Sequence, residues 1–137
     1  MIKYLRKKRE FIMKIILVDG NSLMFRSYYA TAYTGNLMKN SKGLFTNAIF
    51  GFCNMITKLR EEEYDYIFVA FDAGKHTFRH QAYKDYKGGR KAMPDEFRVQ
   101  IPYIKKYLDL LNIKHVEMDD YEADDLIASV SELALNK

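Results

Sequence analysis

Two rhythms of apolar and polar residues run along this chain. Lys14-Ile15-Ile16-Leu17-Val18-Asp19 is a short β-branched run stopped by Gly20-Asn21, and it predicts a buried strand with an acid at its C-terminal end. Ile67-Phe68-Val69-Ala70-Phe71-Asp72 predicts a second strand of the same kind, followed by a turn at Ala73-Gly74. Lys114 to Met118 predicts a third. Elsewhere the spacing changes to threes and fours. Phe45, Ile49, Phe52, Ile56 and Leu59 mark one amphipathic helix, and Phe97, Ile101, Ile104, Leu108 and Leu111 continue the same spacing later on. Helices are also predicted from Ser22 to Ala30 and from Tyr121 to Leu135. Thr34 to Gly43, rich in Gly, Asn, Ser and Lys, predicts a loop.

Three local features refine this picture. Gly51 sits inside a helical pattern at a cost of about 1 kcal/mol relative to Ala, which predicts close packing against a neighbour there. Pro94, followed by Asp95 and Glu96, is a helix start with acids on the positive end of the dipole. Pro102 should kink or break the helix that follows. Strand–helix order repeated three times predicts an α/β fold, a parallel sheet in three layers with helices on both faces. No repeat, low-complexity tract or interdomain linker interrupts it.

Composition adds limits. A chain of 137 residues, 48% hydrophobic and 29% charged, suits one folded domain and not a disordered one. The formal net charge of +4 says little, but the charges are segregated. Lys75 to Lys91 holds six bases (Lys75, Arg79, Lys84, Lys87, Arg90, Lys91) against one acid, Asp85. Glu117 to Asp125 holds six acids (Glu117, Asp119, Asp120, Glu122, Asp124, Asp125) and no base. A strip and a knot of opposite sign suit a protein that holds a polyanion beside bound metal, although solvated surface remains an open reading of both. Cys53 is the one cysteine, which excludes an internal disulfide and fits a reducing cytoplasm. No apolar run approaches the roughly 20 residues of a membrane span. Residues 1–13 read as a basic, dispensable N-terminal extension ahead of a domain at 14–137, with Met13 a candidate start and no export signal.

Candidate chemistry follows from topology. Open α/β sheets bind ligands beyond the carboxyl ends of their strands, where Asp19 and Asp72 are expected. The third strand leads within a few residues to Glu122, Asp124 and Asp125. Five carboxylates from three segments would repel one another, and a divalent cation resolves the conflict. Oxygen-only donors favour Mg²⁺ or Mn²⁺ over Zn²⁺, and two such ions about 4 Å apart suit phosphodiester cleavage. Plainer readings stay open: Asp19 and Asp72 as turn formers, and Asp119 with Glu122 as a helix cap. Helix capping leaves Asp124 and Asp125 unexplained, since Asp125 is predicted to flank the apolar stripe Leu126, Val130, Leu133. In the basic strip, Arg79, Lys84, Lys87 and Arg90 alternate with Phe78, Tyr83 and Tyr86, as in surfaces that grip single strands. A solvated helix with Phe78 and Tyr83 facing the core is the alternative. Arg26, seven residues after Asp19, either reaches a phosphate or sits in solvent, and His76 and His80 read as surface residues.

Four blocks then occur in a telling order: Ile16-Leu17-Val18-Asp19-Gly20-Asn21-Ser22, Phe71-Asp72-Ala73, Phe78-Arg79-His80 leading to Tyr86-Lys87-Gly88-Gly89-Arg90, and Tyr121-Glu122-Ala123-Asp124-Asp125. Together they resemble the 5′-3′ exonuclease domain of bacterial DNA polymerase I and its stand-alone relatives, within the wider flap endonuclease group, from about Lys14 onward. The resemblance implies the N-terminal part of a PIN-like, resolvase-like 5′ nuclease fold. It implies that Asp19, Asp72, Glu122, Asp124 and Asp125 are metal-site acids for Mg²⁺ or Mn²⁺, two ions in the complete domain. It also implies that Arg26, Lys87 and Arg90 act at the scissile phosphate, and that Arg79, Tyr83, Lys84 and Tyr86 hold the 5′ strand. The implied reaction is hydrolysis of DNA phosphodiesters near 5′ ends and flaps, in primer removal and repair, with a polymerase as fused or separate partner. The family's further metal-binding aspartates and its helix–three-turn–helix element are absent from these 137 residues, which predicts a truncated domain. A nucleic-acid-binding remnant that no longer cuts is the alternative. Asn21, where Asp-x-Asp phosphatases need a second Asp, argues against that class.

Overall fold

A computed structural model describes residues 2–5, 13–35, 37–77 and 92–136, with 2–5 and 75–77 described as backbone. The three expected strands are present as β2 (Ile15–Asp19), β3 (Tyr66–Thr77) and β4 (Lys114–Asp120), all parallel, with Ile16 beside Ile67 and Ala70 beside Val116. β1 (Ile2–Leu5), which the pattern did not predict, pairs antiparallel along the other side of β2, giving the order β1-β2-β3-β4. Residues 2–5 of the N-terminal extension are thus part of the sheet.

α1 (Gly20–Ala32) and α2 (Asn47–Arg60) lie between β2 and β3, α3 (Asp95–Arg98) and α4 (Ile101–Leu110) between β3 and β4, and α5 (Ala123–Leu135) follows β4. Strand alternation sends side chains to opposite faces and so builds two cores. Ile16, Val18, Ile67, Val69 and Phe71 face α1 to α4 and meet Met24, Phe52, Ile56, Phe97 and Ile104. Leu17 and Ala70 face α5 and meet Ala123, Leu126 and Ile127. Helices therefore cover both faces, as expected of an α/β sheet. No described helix is long and apolar enough to cross a membrane.

The helical pattern around Pro102 is broken as expected. α3 ends at Arg98, and Pro102 falls in the first turn of α4, where a missing N–H costs nothing. Gly51 does mark a close approach: a Cβ there would lie 2.8 Å from Ser27 Cβ and 3.1 Å from Ser27 Cα, on α1. Two expectations change. Leu133 is exposed, so the apolar stripe of α5 is Ala123, Leu126, Ile127 and Val130. The turn expected at Ala73-Gly74 is instead an irregularity within β3. Asp72 pairs with Met118 and Thr77 with Asp120, so five steps on β3 match two on β4. Gly74 takes φ 132°, a conformation that favours glycine.

Candidate functional site

Asp19 ends β2 and becomes the N-cap of α1, its Oδ1 accepting the Ser22 N–H at 2.9 Å. The turn-former reading of Asp19 is therefore real, and it leaves the other carboxylate oxygen at the strand end. Gly20 is needed beside it, because a Cβ would fall 2.7 Å from Phe71 Cδ1 and 2.9 Å from the Ala70 carbonyl oxygen.

Asp72 sits where regular β3–β4 pairing stops, and it is the hub of the rim. Its Oδ1 accepts the Ala123 N–H at 2.6 Å, tying β3 to the first residue of α5. Its Oδ2 accepts from Asn21 Nδ2 at 3.2 Å, and its own N–H donates to Asn21 Oδ1 at 3.0 Å. A carboxylate on a helix N-terminus is favoured by both the free N–H groups and the dipole. Asn21, read from sequence only as part of the stop after the first strand, is a candidate site residue that the sequence did not single out.

At α5 the cap differs from expectation. Glu122 and Asp125 form the capping box, with Asp125 Oδ2 accepting the Glu122 N–H at 2.9 Å. Asp119 and Asp120 belong to β4, and Asp120 turns the chain with φ 71°. Capping thus accounts for Asp125 as well, which spacing had left unexplained. Glu122 is buried, Asp125 half-buried and Asp124 exposed.

The structure thus brings Asp19, Asp72, Glu122 and Asp125 to the rim formed by β2, β3 and the start of α5. The donor set is all oxygen and partly buried, which fits a hard divalent cation. The arrangement is not a finished cage. Among the described residues no three His, Cys, Asp or Glu side chains are grouped to hold an ion. Ser22, Ala123 and Glu122 N–H groups, with the Asn21 amide, each hold a carboxylate oxygen of this rim.

Arg26 is exposed on α1. The same helix and its C-cap residue carry a row of rings, Phe25, Tyr29 and Tyr33, with successive centroids 6.2 and 5.7 Å apart. Their i, i+4 spacing was not singled out in the sequence. Arg79, Tyr83, Lys84, Tyr86, Lys87 and Arg90 lie outside the described residues, as do Phe78 and His80.

Residues 14–137 match the family described as 5′-3′ exonuclease, N-terminal resolvase-like domain. The chain is 50% identical over 122 residues to DNA polymerase I of Streptococcus pneumoniae (strain ATCC BAA-255 / R6), covering 88% of this chain and 14% of that protein. Against DNA polymerase I of Bacillus subtilis (strain 168) it is 45% identical over 122 residues, covering 88% and 13%. The chain therefore spans about one-seventh of these relatives. Among solved structures, T5 5′-exonuclease with bound divalent metal ions (zinc) matches with a TM-score of 0.56 and 25% identity, over 87% of this chain and 43% of that one. T5 D15 protein, co-crystallised with metal ions, shares the fold at a TM-score of 0.56 and 21% identity. The family match and the identity to these relatives place the chain plainly: it belongs to the 5′-3′ exonuclease N-terminal, resolvase-like domain family.

Proposed function

We propose that this chain forms the carboxylate-bearing part of a divalent-metal-dependent 5′ nuclease, which hydrolyses DNA phosphodiesters near 5′ ends and flaps during primer removal and repair in the cytoplasm. The observation that carries this reading is the meeting of three separate segments at Asp72, which accepts from Asn21 after β2 and from Ala123 at the head of α5.

Asp19, Asp72, Glu122, Asp124 and Asp125 are the acids assigned to Mg²⁺ or Mn²⁺. When bound, such ions neutralise phosphate charge and lower the pKa of water. The metal-bound T5 5′-exonuclease supports a divalent ion here. Arg26, Lys87 and Arg90 are assigned to the scissile phosphate, where bases offset developing negative charge. Arg79, Tyr83, Lys84 and Tyr86 are assigned to the 5′ strand, by phosphate contact and base stacking. The ring row on α1 offers further stacking surface beside Arg26. Relatives that carry a polymerase in the same chain make a polymerase the natural partner.

The test is cleavage of a 5′-labelled flap DNA by the folded chain with Mn²⁺, with EDTA and Asp72→Asn as controls. Metal-dependent cutting that Asp72→Asn abolishes is expected. A folded chain that binds the 5′ strand but never cuts would instead be the binding-only module.

A further inference from the structure

We propose that Asn21 is a positioning residue for the Asp72 carboxylate, and through it for the head of α5. The proposal deepens the nuclease reading and rests on it where metal is concerned. The carboxamide of Asn21 grips Asp72 twice. Its Oδ1 accepts the Asp72 N–H at 3.0 Å, and its Nδ2 donates to Asp72 Oδ2 at 3.2 Å. Asp72 Oδ1 is thereby presented to the Ala123 N–H at 2.6 Å.

Only a side chain with a donor and an acceptor at fixed separation makes both contacts at once. Gly20 supplies the close approach that puts Asn21 there, since any Cβ at residue 20 would meet Phe71 and the Ala70 carbonyl. The lever matters because Asp72 lies beside an irregular stretch of β3, where Asp72 is followed by Gly74 at φ 132° and ladder pairing is lost until Thr77. Regular pairing with β4 ends at Asp72 itself, and the two contacts from Asn21 help to hold its backbone and carboxylate there.

Two variants separate positioning from a general structural stitch. Asn21→Ala removes both contacts. Asn21→Leu removes both as well, keeps the side-chain volume and adds no charge beside the Asp72 carboxylate. The readout without metal is amide exchange followed by NMR. Ala123 should exchange about tenfold faster in both variants while the core amide of Val69 stays protected. Unchanged Ala123 protection overturns the proposal, and folded Asn21→Leu decides the matter if Asn21→Ala does not fold. The second readout is Mn²⁺ titration, in which both variants should bind about tenfold more weakly, the scale of outer-shell substitutions at metal sites. Normal Mn²⁺ affinity in both variants, with affinity lost in Asp72→Asn, also overturns it. Normal affinity in Asp72→Asn itself would sink the metal reading, and the exchange result would still decide Asn21.

Discussion

Gln100 is completely buried and makes four hydrogen bonds. Its Oε1 accepts the Ala48 and Ile49 N–H groups at 2.8 and 3.1 Å, and its Nε2 donates to Asn47 Oδ1 and the Glu96 carbonyl at 2.9 and 2.8 Å. α2 has no side-chain cap of its own at Thr46, so a residue more than fifty positions away satisfies its first N–H groups. Asn47 passes the network on to the Tyr28 carbonyl and the Thr31 hydroxyl of α1, each at 3.1 Å. Gln100→Leu keeps the volume and strands these groups, which should cost about 3 kcal/mol given the usual penalty per unsatisfied group. Urea unfolding measures it, and a loss under about 1 kcal/mol would mean that water replaces the amide. Nothing in the sequence marks Gln100, because a polar residue in a helical pattern predicts exposure. Asp72 shows the opposite case. An acid closing a β-branched run was legible, whereas its contact with Ala123 depends on a three-dimensional meeting that spacing does not encode.

The pairing of α1 with α2 turns on Gly51. Alanine would gain about 1 kcal/mol of helix propensity, but its methyl would meet Ser27 Cβ and Cα at 2.8 and 3.1 Å. Backbone atoms cannot yield cheaply, so Gly51→Ala should lower stability by about 1–3 kcal/mol, the usual cost of overpacking. A raised melting temperature would show that the helices can part. This contact was legible because a costly glycine in a helix needs a reason. β2 and β3 were legible too, since runs buried on both faces are continuously apolar, whereas β4 is largely exposed and shows only as the short stretch after the preceding helix. β1 was not, because four residues carry too little pattern to separate a strand from a basic tail. The partner of the α5 cap was misread for a related reason. Acids at 119, 120, 122, 124 and 125 offer several capping registers, and only the end of β4 at Asp120 selects Glu122 with Asp125.

At the scale of the molecule, β1 changes what residues 1–12 do. β2 is buried on both faces, and without β1 its outer row of N–H and C=O groups would be an unpaired sheet edge, open to other chains. Deleting residues 1–12 should therefore lower solubility and produce concentration-dependent association by light scattering. A monomer of unchanged melting temperature would restore the view that the extension is dispensable. The antiparallel register has a practical outcome as well. Ile2 lies opposite Val18, the residue before Asp19, so the first residue of β1 stands level with the acidic rim. An affinity tag fused ahead of Ile2 would be delivered to the candidate metal site, and a histidine tag would add imidazoles that compete for the titrated ion. Purification from the other terminus keeps the metal measurements interpretable.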